Sequence, residues 1–353
     1  MKQEIMPSAV RGEVAAPPSK SMMGRALAAA FLAEGRSVIG NPSRCDDAFA
    51  ITGVIRSLGS KVQDDGESFV VDGTGGRVPT GGPLVLSCGE SALCMRMFAP
   101  IAALTDRPIT LTASGSLCSR PMDMLESVRL LGASCKTDHG FAPVTIHGPM
   151  KGGCIGVDAS VSSQLLTGLL LALPLCGDGS RVLAHNLKSV PYIRMTMGLL
   201  RRFGVEIDHD EGFEEFEIKG GQAYTPTDYT VEGDWSGASF LLVAGAVSGP
   251  VTVTGLDPDS DQADRAVLAA LRQVGARVEV GRDHVTVERG ELSPFVFDVT
   301  HCPDLFPPLA ALAGNCVGKS VIHGIERLRY KESNRLAALG AEFARLGISM
   351  QSS

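Results

Sequence analysis

Residues 201–220 read RRFGVEIDHDEGFEEFEIKG, and the order of residue types in them decides the fold. Arg201 and Arg202 suit the last turn of a helix, where cations meet the negative end, and Gly204 suits the left-handed residue on which a chain leaves a helix. An alternating run, a polar Asp-His-Asp-Glu-Gly turn and a second alternating run follow, which predicts a β-hairpin. The same helix end recurs as RSLGSKV around Gly59, RLLGASC around Gly132, RQVGARV around Gly275 and ARLGISM around Gly347. Those five glycines are 73, 72, 71 and 72 positions apart. Single matches to Arg-x-x-Gly are common, but five at nearly constant spacing mark a repeated supersecondary unit.

An earlier helix is expected ahead of each terminal one, over residues 19–34, 90–104 and 164–175 in the first three copies, with a short apolar strand between. The unit therefore reads βαβαββ. The fifth copy reaches Ile348 and the final SMQSS inside its expected first hairpin strand, so the sequence predicts that one repeat is incomplete.

At 353 residues and 44% hydrophobic content the chain can bury two cores. The longest apolar run, 165–176, is interrupted by Thr167, Gly168 and Pro174 and is shorter than the roughly 20 residues of a membrane span. No secretory h-region opens the sequence, which sets a cytoplasmic expectation. Nine cysteines without a C-x-x-C pair suit reduced thiols rather than a disulfide framework or zinc site. A net charge of −7 with one Trp and four Tyr offers nucleic acid neither a basic field nor a stacking surface.

Polar and cationic residues gather at expected helix starts, where unpaired N–H groups favour anions. PPSKSMMGR places Lys20 and Ser21 at one entrance with Arg25 a turn later. CSRPMDML puts Arg120 before Pro121, a residue suited to the first helical position. DASVSSQLLTGLL presents Ser162, Ser163 and Gln164, and SVPYIRM presents Ser189 and Tyr192. Near the end, CPDLFPP carries Asp304, and RYKESNR carries Lys331, Glu332 and Arg335, the last two expected on one helical face. Each Ser or Asp alone is more often a cap. Together they suggest a ligand with several anionic groups.

These motifs, in this order, resemble 5-enolpyruvylshikimate-3-phosphate synthases from the N-terminus to Gly347. The resemblance implies a two-domain inside-out α/β barrel of six βαβαββ units, with one domain at 19–228 and the other at 1–18 plus 229–353. It implies a monomer that moves the enolpyruvyl group of phosphoenolpyruvate onto the 5-hydroxyl of shikimate 3-phosphate, without metal or cofactor. Ser162, Ser163 and Ser189 would bind the shikimate phosphate, and Lys20, Ser21, Arg25, Tyr192, Asp304 and Lys331 the rest of that substrate. Lys20, Ala92, Arg120, Gln164 and Arg335 would hold phosphoenolpyruvate. Asp304 is the expected base, Glu332 the expected acid, and Lys20 would stabilise developing charge.

Four departures accompany the resemblance. The family's N-A-G-T-A-M-R stretch is Glu90-Ser-Ala-Leu-Cys-Met-Arg96 here, with Ala92 in place of glycine. Arg327 aligns with an asparagine, Asn334 with an aspartate, and no G-D-H-R motif occurs; Asp283-His284 sits in an expected hairpin turn. The family's missing arginine and a later lysine would belong beyond residue 353, which sets an expectation of little transfer activity and an exposed fifth-repeat face. Two alternatives remain open from the residues: a remnant that binds shikimate 3-phosphate without reacting it, and the sister UDP-N-acetylglucosamine 1-carboxyvinyltransferases. In the latter the reactive cysteine lies five residues before the Arg-Pro, whereas Cys118 lies two before Arg120, and Lys20-Ser21 replaces a Lys-Asn.

Overall fold

The computed structural model describes residue 6 and residues 9–352. Most of the opening tract, and the final Ser353 of the expected last strand, lie outside the described residues. The chain divides into two units. Unit A comprises Pro18–Val231 and Tyr330–Ser333; unit B comprises the described residues up to Pro17 with Glu232–Arg329 and those from Asn334.

Unit A is organised around helices that are apolar on every side. In α1 (Lys20–Leu32) every residue from Met22 to Leu32 is buried. Helix α2 (Asp46–Ser57) buries one face, whereas α3 (Ala92–Ala102) is buried along its whole length. Helix α4 (Gln164–Ala172) is buried from Leu165 onward and runs into a 3₁₀ turn, Leu173–Leu175, around Pro174. Helix α5 (Val190–Arg202) again buries one face. A helix without a polar face must lie inside, and the strands take the outside. Strands such as Ser134–Asp138 and Cys154–Asp158 alternate exposed and buried residues, one face to water and one to the helices.

Three four-stranded sheets surround these helices with one topology. In Leu84–Ser87, Ile109–Thr112, Phe141–His147 and Ser134–Asp138, the first pair is parallel and the others antiparallel. Cys154–Asp158, Ser180–His185, Glu215–Ile218 and Asp208–His209 repeat it, the last two forming the hairpin that residues 201–220 predict. In the remaining sheet, Glu34–Gly40, Ser68–Thr74 and Lys61–Asp64 take their parallel partner from Tyr229–Thr230, far along the chain.

Unit B explains that exchange. The first described strand, Gly12–Ala15, pairs in parallel with Val251–Thr254, which continues into His284–Glu288 and Arg277–Val280 in the same order. Over this sheet lies α6 (Trp235–Val247), capped by Asp234 and followed by α7 (Val267–Val274). A fifth copy holds the parallel pair Val296–Asp298 and Val321–His323, with α8 (Phe306–Ala313) and α9 (Arg335–Arg345). The fold is thus the mixed α/β two-domain architecture expected from the repeat.

Three local expectations need correction. The second copy's terminal helix, Asp123–Leu131, is 3₁₀ rather than α. Pro121 does not start it: Arg120 is extended, as residues before proline tend to be, and Met122 N–H donates to Gly140 O at 2.7 Å, tying this stretch to the hairpin turn. Residues 348–352 carry no strand.

The closest helix approach in unit A depends on Gly168, where a Cβ would stand 2.5 Å from the Met97 carbonyl oxygen of α3. Gly168→Ala is expected to destabilise the protein by about 1–3 kcal/mol, the usual effect of overpacking a core. The urea midpoint measures it, and an unchanged midpoint would refute the close approach.

Candidate active site

In unit A many of the candidate residues stand in or just before the first turns of α1, α3, α4 and α5, whereas Arg25 lies a turn into α1, and Arg120, Lys331 and Glu332 lie outside these helices. Lys20 and Ser21 open α1, Ala92 opens α3 and Gln164 opens α4. Their N-caps differ in chemistry. The hydroxyls of Ser19 and Ser91 accept from Met22 N–H and Cys94 N–H, the ordinary capping bond. Ser163 and Ser189 occupy the same position at α4 and α5 but do not cap with their side chains. Ser162 Oγ accepts from Gln164 N–H at 3.2 Å. Ser189 is left-handed, with φ 63° and ψ 39°, a conformation that penalises residues with a Cβ.

Two buried arginines tie these first turns together. Arg25 is 1% exposed. It donates through Nε to Thr196 Oγ1 (2.9 Å), through Nη1 to Ser21 O (2.8 Å), and through Nη2 to Tyr192 O (3.2 Å) and Thr167 Oγ1 (3.4 Å). Its carbon Cζ lies 5.9 Å from the Tyr192 ring centre. Burial lowers its pKa to about 10, so the cation persists at neutral pH. The expected substrate contact Arg25 therefore also links α1, α4 and α5 from within the core.

Arg96 is the second, and sequence reasoning left it without a role. It is 3% exposed and donates through Nη1 to Gln164 Oε1 (3.1 Å) and through Nη2 to Pro121 O (2.8 Å). Desolvation, then repulsion from Arg120, lowers its pKa to about 10. An arginine inside an apolar helix, one turn after a polar helix start, is the signal that marks it. Ser91 Oγ also donates to Asp47 Oδ1 at 2.5 Å, joining the starts of α2 and α3.

Tyr330–Ser333 associates with unit A through its contacts, and there Arg120 Nη1 lies 3.5 Å from Glu332 Oε1. The arginine side chain is 8% exposed and the carboxylate 53%, so the pair is half in water and weak. Glu332 is not on the same helical face as Arg335, as the spacing had suggested. Helix α9 begins at Arg335 and is capped by Asn334, whose Oδ1 accepts from Ala337 N–H at 3.2 Å, so Lys331 and Glu332 precede the helix.

Unit B holds Asp304, in the 3₁₀ turn Pro303–Leu305 ahead of α8, and Arg335 at the first position of α9. They form an ion pair, Arg335 Nη1 to Asp304 Oδ1, at 2.6 Å. Arg327, the departure from a family asparagine, is buried and donates to Thr300 O. Burial, with nearby Asp264, Asp298 and Asp304, raises the Cys302 thiol to about 12, so it is protonated and inert. Among the described residues no cluster of His, Cys, Asp and Glu could hold a metal, and no helix is long and apolar enough to cross a membrane.

Repeated units with helices inside and sheets outside, in a chain that passes between two units, define the enolpyruvyl-transferase fold. The structure superposes on EPSP synthase from Acinetobacter baumannii with TM-score 0.77 at 23% identity, over 95% of this chain and 78% of that one. It superposes on the enolpyruvyl transferase NikO from Streptomyces tendae with TM-score 0.71 at 20% identity, over 89% and 75%. The family model for EPSP synthase (3-phosphoshikimate 1-carboxyvinyltransferase) matches residues 5–353. A 3-phosphoshikimate 1-carboxyvinyltransferase of Thermococcus kodakarensis is 42% identical over 97% of this chain and 82% of its own length. One from Methanocorpusculum labreanum is 37% identical over 95% and 80%. The chain belongs to the EPSP synthase family.

The Asn334 cap accounts for one departure from the family motif, since Asn and Asp cap equally well. Asn334→Ala is expected to lower stability by about 1 kcal/mol, whereas Asn334→Asp keeps it within about 0.5 kcal/mol. Chemical denaturation separates the two, and equal losses would remove the capping role.

Proposed function

We propose that the chain transfers the enolpyruvyl group of phosphoenolpyruvate to the 5-hydroxyl of shikimate 3-phosphate and releases phosphate. Family membership over nearly the whole sequence supports the reaction. The observation that carries the chemistry is the set of helix starts in unit A, where two serine hydroxyls do not cap their helices and two buried guanidiniums hold a permanent positive charge. Anionic oxygens are what such a set binds best.

In this reading Ser162, Ser163 and Ser189 take the phosphate of shikimate 3-phosphate. Lys20, Ser21, Arg25, Tyr192, Asp304 and Lys331 take the remainder of that substrate. Lys20, Ala92, Arg120, Gln164 and Arg335 take phosphoenolpyruvate. Asp304 accepts the 5-hydroxyl proton as that oxygen attacks C2 of phosphoenolpyruvate, and Glu332 delivers a proton to the methylene carbon. The resulting tetrahedral adduct returns a methyl proton to Glu332 and expels phosphate, which carries off the proton held by Asp304, and the vinyl group is restored. Arg335 Nη1, 2.6 Å from Asp304 Oδ1, holds that carboxylate in place. We further infer a cytoplasmic monomer, in keeping with nine cysteines that are all unpaired in the structure.

Release of phosphate from phosphoenolpyruvate that depends on shikimate 3-phosphate tests the reaction; no such release by the purified protein refutes it. Asp304→Asn and Glu332→Gln are each expected to lower turnover about a hundredfold or more while calorimetric binding of shikimate 3-phosphate stays largely intact. Near-normal turnover in either variant removes that residue from its role.

Ala92 supplies a second quantitative expectation. It is the first residue of α3, 3% exposed, where the family motif has glycine. An added methyl in a filled site costs about 1–3 kcal/mol, so glyphosate, the family inhibitor that takes the phosphoenolpyruvate site, is expected to bind weakly. Ala92→Gly should lower its inhibition constant by roughly tenfold or more. An unchanged constant rules out the methyl as the cause.

A further inference from the structure

On the transfer reaction proposed above, we propose that Arg96 is a positioning residue that fixes how Gln164 and Arg120 meet phosphoenolpyruvate. Its guanidinium forks: Nη1 reaches Gln164 Oε1 at the start of α4, and Nη2 reaches the carbonyl of Pro121, directly after Arg120. One buried group thus touches the neighbourhoods of two residues assigned to the same substrate, from a third element, α3.

The chemistry of the fork decides the orientation of Gln164. A guanidinium has donors and no acceptor, so the amide branch facing Arg96 must be the oxygen. The amino branch, with both of its N–H donors, then faces away from Arg96 at the half-buried start of α4. Without Arg96 the amide could turn over at little cost and present its oxygen to an anion, a repulsive contact. At Pro121 the same logic applies to the backbone. Arg120 is extended and held by its own N–H to Leu117 O at 3.1 Å. The bond from Arg96 to the next carbonyl fixes the direction in which the Arg120 side chain leaves.

Two features show that this is more than core packing. Arg96 sits close enough to Arg120 for like-charge repulsion to contribute to its lowered pKa, an arrangement a purely structural core would avoid and an anionic ligand relieves. Arg96 Nε is buried and has no hydrogen-bond partner among the described residues, so the cation is incompletely satisfied by the protein alone.

Arg96→Lys tests the role, because an ammonium keeps the charge but cannot reproduce a planar fork to two acceptors. Relative to an active wild type, KM for phosphoenolpyruvate should rise about tenfold or more while KM for shikimate 3-phosphate changes less than about twofold. Equal rises in both constants, or none, overturn the proposal; absence of activity in the wild type instead overturns the transfer reaction itself. Should Arg96→Lys fail to fold, Gln164→Glu provides the measurement, since it keeps an acceptor for Arg96 and removes both donors. A raised KM for phosphoenolpyruvate in that variant sustains the oriented amide, and an unchanged one overturns it.

Discussion

A buried cation must find hydrogen-bond acceptors inside the protein, and in unit A this requirement sets the arrangement of the helix starts. Arg25 lies in a helix buried from Met22 to Leu32, and Arg96 in one that is otherwise wholly apolar. Stripped of water, Arg25 is held by carbonyls and hydroxyls of α1, α4 and α5, and Arg96 by the Gln164 amide at the start of α4 and the Pro121 carbonyl. Hydrogen bonds from charged groups contribute about 1.5–3 kcal/mol each, and leaving such a group unpaired in the core is costlier still. The first turns of α1, α4 and α5 are therefore coupled through Arg25, and those of α3 and α4 through Arg96. A substrate assembled from several helix ends needs this coupling, because a helix end free to shift by an ångström loses much of its catalytic benefit.

The coupling is possible because the repeat puts small residues where the helices meet. Gly168 brings α4 against the backbone of α3, and α1 contains a run of alanines, Ala28–Ala30, buried on all sides. Sheets outside and helices inside are the consequence of that composition: the strands keep one polar face and can meet water, whereas the inner helices cannot. The exchange of parallel strands, with Gly12–Ala15 joining the unit B sheet and Tyr229–Thr230 the unit A sheet, follows from a repeat whose first strand was displaced along the chain. Each of the four four-stranded sheets keeps its strand order regardless of which segment supplies the first strand.

Much of this was legible in the sequence. Glycines at near-constant spacing after a basic helical turn signal a repeat because only a recurrent left-handed C-cap demands them, and Gly132, Gly204, Gly275 and Gly347 all have positive φ. Helix starts were legible because caps and prolines act locally. Less visible were features decided by tertiary contact. Pro121 looks like a helix start, yet the chain there is bound to the hairpin turn at Gly140. Glu332 and Arg335 have helical spacing, but Asn334 caps the helix after Glu332. Arg96 is marked in the sequence only as an arginine within an apolar helix; its two acceptors come from other elements. Local chemistry predicts where elements begin; it does not predict which side chain from one element will orient another.

The serines illustrate the same division at higher resolution. Ser19 and Ser91 cap their helices, and substitution of such a cap by alanine typically costs about 1 kcal/mol. Ser163 and Ser189 occupy equivalent positions and do not contribute that bond. At Ser189 the backbone also adopts a left-handed conformation, a cost of about 1–2 kcal/mol for a residue with a Cβ. A conformation that forgoes a cap and accepts strain persists only where the surroundings enforce it. Close by, Pro191 stands in the first turn of α5 and Arg25 donates to the carbonyl of Tyr192. In the proposed reaction Ser189 is one of the serines that meet phosphate, at a helix start that does not use its side chain as a cap. Arg25, buried in α1 and bonded to the first turn of α5, joins the packing of the core to that helix start.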